Sequence, residues 1–122
     1  MSRALLVLAA LCGLMAVAAG AFGAHGVADP QAKGWLQTGG QYQLVHAVAA
    51  VACVALAPRL GRLAALAGCL FVAGGLVFGG TLYLMAFGGP QVLGAVTPVG
   101  GLLLMTGWAV LAFAAFTRRI PD

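Results

Sequence analysis

The sequence predicts an all-α integral membrane protein, a bundle of four transmembrane helices with both termini in the cytoplasm. Composition is the first reason: 63% of the 122 residues are hydrophobic and 7% are charged, whereas soluble domains are near half apolar and a quarter charged. The second is that four apolar runs, each about as long as a membrane crossing, follow one another along the chain. The length indicates a single domain over residues 1–122, too small to hide so many apolar side chains from water.

The first predicted helix covers residues 4–24, a run of 21 residues without a charge. At 1.5 Å per residue it would be about 31 Å long, which matches the hydrocarbon thickness of a bilayer. A cleaved signal peptide is the alternative, because Arg3 gives a basic start and residues 16–18 (Ala-Val-Ala) resemble a cleavage site. Residues 25–40 are polar and glycine-rich, and they are predicted to form a loop outside the cytoplasm.

Three further apolar runs predict helices over residues 41–57, 63–87 and 97–116. The first of these is 17 residues long, at the short end for a crossing, whereas the next has 25 residues and could tilt or kink at its glycines. Residues 58–62 (Pro-Arg-Leu-Gly-Arg) predict a tight basic turn, and residues 88–90 (Gly-Gly-Pro) end the third helix.

The basic residues predict the orientation of the bundle in the membrane. With four crossings, both termini and the turn between the second and third helices share one side. Five arginines lie on that side, whereas the opposite side carries Lys33 alone. The positive-inside rule therefore predicts that the termini face the cytoplasm. The net charge of +4 does not indicate nucleic-acid binding, because the basic residues flank apolar runs instead of lining one face. The five are Arg3, Arg59, Arg62, Arg118 and Arg119.

Small residues recur at three- and four-residue spacing in two of the predicted helices, which places them on one face of each helix. Such faces let helix backbones approach closely in lipid. They are predicted to pack against other helices, and to hold a protein partner or a second copy of the chain. In the first helix they are Ala9, Gly13, Ala16, Gly20 and Ala24, and in the third Ala64, Gly68, Gly75 and Gly79.

Seven polar side chains are predicted to cluster at the outer ends of the helices: His25, Gln41, Tyr42, His46, Thr81, Tyr83 and Thr97. His46 would lie about 7.5 Å below the outer end of its helix and at the depth of Thr81. It could therefore meet Thr81 or Tyr83 across a helix interface. Two interpretations are open: this contact pins two helices together, or His46 belongs to a site for transport, ligand binding or proton chemistry.

Catalysis and cofactor binding have little support in the sequence. Asp29 is the only internal carboxylate, and no carboxylate lies inside a predicted helix. Cys12, Cys53 and Cys69 are widely spaced within apolar runs, without a Cys-x-x-Cys motif, and are predicted to be reduced core residues. We therefore expect no enzyme activity and no cofactor, metal or haem site.

Five short motifs extend along nearly the whole chain. They are Gly-Ala-Phe-Gly-Ala-His-Gly at 20–26, Tyr42-Gln43 with His46-Ala47, Gly-Thr-Leu-Tyr at 80–83, Thr-Pro-Val-Gly-Gly at 97–101, and Gly107-Trp108. In this order they resemble the family named domain of unknown function 423. The resemblance implies a four-helix protein of the bacterial inner membrane, similar to the animal transmembrane protein 256, and it brings no established activity or ligand. The chain departs from the family pattern at Gly79 and Thr81, where serines are usual.

The expected function is a structural or accessory role in a membrane complex, in contact with lipid and with a protein partner or a second copy, without nucleic acid. The small-residue faces and the scarcity of ionisable groups inside the helices favour this role. The alternative is small-molecule or ion binding or transport through an outward-facing polar vestibule around His46.

Overall fold

Four long α-helices make up most of the chain in the computed structural model, which describes residues 2–121. Each helix is long and apolar enough to cross a membrane, and the described residues contain no β-strand. The predicted all-α membrane fold with four helices is therefore confirmed. The elements are α1 (Ser2–His25), α2 (Pro30–Leu60), α3 (Arg62–Ala86), a short 3-10 helix (Gln91–Ala95) and α4 (Thr97–Thr117).

α2 begins at Pro30 and not at residue 41, so most of the predicted outer loop is helical. Asp29 caps the helix, because its Oδ2 accepts a hydrogen bond from the Ala32 N–H at 3.0 Å, and Pro30 occupies the first turn. The glycines that suggested a loop lie inside the helix. The prediction of a loop over residues 25–40 is therefore wrong, and only residues 26–29 connect α1 to α2.

α2 also continues through Pro58 to Leu60, and the connection to α3 is the single residue Gly61. Gly61 has a φ of 73°, a left-handed conformation that glycine adopts at little cost. Its N–H donates a hydrogen bond to the Ala57 carbonyl at 2.8 Å, which satisfies a carbonyl at the end of α2. The turn is thus shorter than predicted, whereas the limits of α1, α3 and α4 lie within two residues of the predicted ones.

The helices pack in chain order: α1 on α2, α2 on α3, and α3 on α4. α1 makes a smaller contact with α3, whereas α2 and α4 barely touch. α4 is therefore held almost entirely by α3, and a groove stays open between α2 and α4. This α2/α4 groove is lined by Tyr42, His46, Phe78, Gly101, Leu104, Met105 and Trp108.

The small-residue faces predicted in α1 and α3 are filled by other helices of the same chain. Ala16 of α1 is buried, and a Cβ added to Gly40 of α2 would lie 2.9 Å from the Ala16 carbonyl oxygen. All four of the predicted α3 residues are buried. Ala24 is an exception, since it is exposed and Gly23 is buried against α2 instead. The two faces therefore account for packing within the bundle.

α3 and α4 approach each other through glycines. A Cβ added to Gly100 would overlap the backbone nitrogen of Phe78, and one added to Gly74 would lie 3.0 Å from the Gly100 carbonyl oxygen. Further along α4, a Cβ at Gly107 would lie 2.7 Å from the Phe71 ring. Contacts of this kind matter in lipid, because helices there gain little from hiding apolar surface from one another.

The main hydrophobic core lies between α1, α2 and α3, with Leu104 contributed by α4. Cys12 and Cys53 are buried in this core as predicted, and Cys69 packs against it partly buried. All of these cysteines are free thiols.

Candidate functional site

The seven polar residues predicted to form one cluster lie in several places. His25 and Gln41 are exposed, and Tyr42 is half exposed beside the α2/α4 groove. The remaining members take part in separate hydrogen bonds between helices. Three pairs result: Tyr83 with Gln43, Thr81 with Thr97, and His46 with Trp108.

The first pair joins α3 to α2 through a fully buried amide. Gln43 has no exposed surface, its Oε1 accepts a hydrogen bond from the Tyr83 hydroxyl at 2.7 Å, and its Nε2 lies 3.3 Å from the Met15 sulfur of α1. Glycine makes room for the tyrosine ring, since a Cβ at Gly39 would lie 2.7 Å from Tyr83 Cε1. One side chain therefore links three helices at one level.

The second pair joins the start of α4 to α3. The Thr81 and Thr97 hydroxyl oxygens are 2.6 Å apart, and both residues are buried. Thr81 also donates to the Val77 carbonyl, and Thr97 lies within hydrogen-bond distance of the Leu93 carbonyl. Threonine hydroxyls commonly bond such carbonyls within a helix. The remaining bond, from one hydroxyl to the other, fixes where α4 enters the bundle.

The third pair, His46 with Trp108, connects α2 to α4 across the groove. The Trp108 indole N–H donates to His46 Nε2 at 2.9 Å, and His46 Nδ1 lies 2.6 Å from the Tyr42 carbonyl oxygen. Because an indole can only donate, Nε2 is the acceptor and Nδ1–H donates to the carbonyl. His46 is therefore a neutral imidazole with both nitrogens engaged, and only 7% of it is exposed.

The predicted contact of His46 with Thr81 or Tyr83 is thus wrong. The long start of α2 changes its alignment with α3: Gln43 faces Tyr83, whereas the His46 ring lies 5.5 Å from the Phe71 ring, more than two turns away along α3. His46 follows the start of α2 by 16 residues, or about 24 Å, and precedes its end by 14. The residue therefore lies near the middle of the helix and not at its outer end.

The α2/α4 groove encloses a cavity of about 450 Å³ with an almost entirely apolar lining. Aromatic rings form much of its wall: the Tyr42 ring stacks parallel to His46 at 6.4 Å and tilts against Phe78 at 4.8 Å. On the α4 side, Trp108 is 45% and Met105 62% exposed. Because these side chains are exposed within α4, the groove is open at the surface of the bundle.

The buried polar side chains of the bundle form hydrogen bonds within the protein. Every buried side-chain nitrogen or oxygen among residues 2–121 has a hydrogen-bond partner. In the same part of the chain, no three potential metal ligands lie together. Saturated hydrogen bonds of this kind suit helix-to-helix attachment, because in hydrocarbon a polar group gains most by bonding to another helix.

The family described as a protein of unknown function, DUF423, matches residues 19–101. The chain belongs to this family. The resemblance inferred from the motifs is thereby confirmed. The matched segment runs from the end of α1 to the start of α4, so it contains Gln43, His46 and Tyr83 and stops before Trp108.

Several named bacterial membrane proteins match nearly the whole chain. The UPF0382 membrane protein of Haemophilus influenzae is 39% identical over 122 residues, covering 98% of both chains. The UPF0382 inner membrane protein YgdD of Escherichia coli K12 is 36% identical, covering 97% of this chain and 93% of its own. YwdK of Bacillus subtilis is also 36% identical, over 93% of this chain and 96% of its own. No solved structure matches the chain. These names support a small multi-pass membrane protein.

Two residues of the polar pairs, Gln43 and Trp108, were not among the predicted cluster. Each belongs to one of the family motifs, Tyr42-Gln43 and Gly107-Trp108, and this is the sequence feature that marks them.

Proposed function

We propose that this DUF423 protein is a non-catalytic accessory component of a complex in the bacterial inner membrane, and that it binds a transmembrane helix of a partner protein in the α2/α4 groove. One observation carries the proposal: α4 packs on α3 and, apart from the contact of Trp108 with His46, has little contact with α2, which leaves the groove beside that pair open. A fifth helix beside α2 and α4 would complete the bundle there.

The α4 side of the groove has the features of a helix-docking face. Gly101, Met105 and Trp108 follow one another at four- and three-residue spacing, so they share one face of α4. A Cβ at Gly101 would have no neighbour nearer than 4.0 Å, so a partner backbone could approach at that point. Methionine adapts its shape to an incoming surface, and tryptophan supplies a large apolar contact.

The small-residue face of α3, first expected to hold a partner, is occupied by the chain's own helices, and part of the α1 face packs on α2. Gly68, Gly75 and Gly79 of α3 are buried, and Gly40 of α2 meets the backbone of α1. An incoming helix could reach them only by separating the bundle. This is a further reason to place the partner at the α2/α4 groove.

The alternative function, a small-molecule or ion pathway through a polar vestibule around His46, has less support. Such a pathway needs polar atoms that are free to bind what passes. Both ring nitrogens of His46 are engaged, and Thr81 and Tyr83 bond to residues of other helices. The cavity beside His46 is apolar and open at the surface of the bundle.

We further propose that both termini face the cytoplasm. The end of the bundle at which α1 begins and α4 ends, here called the terminal end, carries all five arginines, whereas the opposite end carries Lys33. The positive-inside rule supports this orientation.

A photo-cross-linker placed in the groove tests the proposed partner site. We expect a benzophenone side chain at Met105, irradiated in the native membrane, to give a discrete adduct whose mass exceeds that of the chain by one partner protein. The matched control is the same group at Leu14, which is 68% exposed on the outer face of α1 and should label lipid only.

Mass spectrometry of the adduct distinguishes the possible outcomes. A single protein captured from Met105 and not from Leu14 supports the accessory function. An adduct of two copies of this chain would show that a second copy, and not a different protein, occupies the groove. Lipid adducts alone at both positions would contradict the proposal.

A further inference from the structure

We propose that the terminal end of the bundle contains a binding site for the phosphate of an anionic phospholipid, formed by Arg118 lying against the turn at Gly61. The observation is a contact between two distant parts of the chain. A Cβ added to Gly61 would lie 3.2 Å from Nη2 and 3.5 Å from Cζ of Arg118. The guanidinium of Arg118, the residue that follows α4, is therefore beside the α2/α3 turn.

Two more arginines lie in sequence beside this contact. Gly61 is flanked in sequence by Arg59 at the end of α2 and by Arg62 at the start of α3. Beneath the turn, Leu60, Ala64 and Ala114 form a small buried cluster of α2, α3 and α4. That cluster fixes the end of α4 against the turn, so the position of Arg118 follows from packing.

The charges of this end are not balanced within the described part of the chain. In the sequence, five arginines belong to this end against a single acidic residue, Asp122, because the other, Asp29, caps α2 at the opposite end. The Arg118 guanidinium lies at a turn flanked by two further exposed arginines, so an anion bound there would be attracted by all three charges. The binding partner should therefore be negatively charged.

The position in the bundle favours a lipid phosphate. The arginines lie where α2 ends, α3 begins and α4 ends, which is the level at which headgroups meet a transmembrane helix. A guanidinium binds phosphate through two parallel N–H groups, and each basic residue near an anionic membrane surface adds to the attraction. The proposed ligand is a phosphodiester lipid whose headgroup carries no positive group, such as phosphatidylglycerol.

Native mass spectrometry of the full chain, titrated with phosphatidylglycerol in a mild detergent, tests this site. We expect Arg118→Gln to weaken the first lipid bound by about tenfold, since a charge-assisted bond is lost. Arg119→Gln removes the same charge from the next residue and should weaken binding by less than about threefold. Arg118→Lys keeps the charge without the planar fork and should fall between the two.

Other results of the titration would overturn the proposed lipid site. Equal losses for Arg118→Gln and Arg119→Gln would overturn the site in favour of diffuse attraction. Equal binding of phosphatidylcholine and phosphatidylglycerol would remove the charge argument. Displacement of the lipid by the same concentration of inorganic phosphate would show a free-anion site. If Arg118→Gln does not fold, the comparison of Arg118→Lys with wild type decides, because that variant keeps the charge and the side-chain stem. None of these results bears on the α2/α4 groove.

Discussion

Replacing Gly100 by alanine is expected to lower the free energy of unfolding by roughly 2 kcal/mol, the largest effect of any single methyl group in the bundle. The added Cβ would overlap the Phe78 backbone nitrogen and lie 2.9 Å from the Gly74 carbonyl oxygen. Both neighbours belong to the backbone of α3, so they cannot rotate away, and α4 must move. Because α4 is held almost entirely by α3, such a movement weakens its whole attachment.

Gly101 provides the control for this prediction. It is the next residue of the same helix, but the nearest atom to an added Cβ is 4.0 Å away. Alanine is also favoured over glycine inside a helix by about 0.5–1 kcal/mol, so Gly101→Ala should leave the stability unchanged or slightly raised. Reversible unfolding in mixed micelles, followed by far-ultraviolet circular dichroism, measures both variants. Equal stabilities would mean that α3 and α4 do not cross at Gly100.

Removing the Gln43 amide is expected to cost about 2 kcal/mol, because Gln43→Ala leaves the Tyr83 hydroxyl without its acceptor at a buried site. The loss extends beyond one bond, since the Gln43 amide also contacts the Met15 sulfur and fills space between α1, α2 and α3. The side chain is fully buried, so no water or lipid headgroup can replace it.

Gln41→Ala is the matched control, because that glutamine is exposed two residues earlier on the same helix. We expect it to change the unfolding free energy by less than about 0.5 kcal/mol. Adding Tyr83→Phe to Gln43→Ala should recover part of the lost stability, because it removes the hydroxyl left without an acceptor. A Gln43→Ala protein as stable as Gln41→Ala would show that the buried pair does not hold the bundle.

The number and kind of helices could be predicted from the sequence, because they depend on local properties. The length of each apolar run and the arginines at its ends give the limits of α1, α3 and α4 within two residues. The start of α2 could not be predicted in this way. Its first eleven residues are polar and contain Gly34, Gly39 and Gly40, a composition typical of a loop. They are helical because Asp29 caps them and because the latter two glycines pack against α3 and α1.

The contacts of the candidate site depend on how the helices align with one another. The sequence pattern of a single helix does not specify this alignment. In the structure Gly39 of α2 lies against Gly79 of α3, and Gln43 lies against Gly75, an alignment that neither helix sequence specifies alone. The alignment is set by close approaches such as Gly39 to Tyr83 and Gly107 to Phe71. These approaches place His46 beside Trp108, and Thr81 forms its hydrogen bond with Thr97 and not with His46.

We propose that the α2/α4 groove holds a helix of another protein. Native mass spectrometry of the chain, extracted gently from its own membrane, tests this proposal most directly. We compare wild type with Gly101→Leu, which fills the groove, and with Gly80→Leu, a glycine of α3 outside the groove with equally open space around it. We expect a complex of this chain with a second protein in wild type and in Gly80→Leu, and the chain without that protein in Gly101→Leu. A lone protomer in all three samples, or a complex that survives Gly101→Leu, would contradict the proposal.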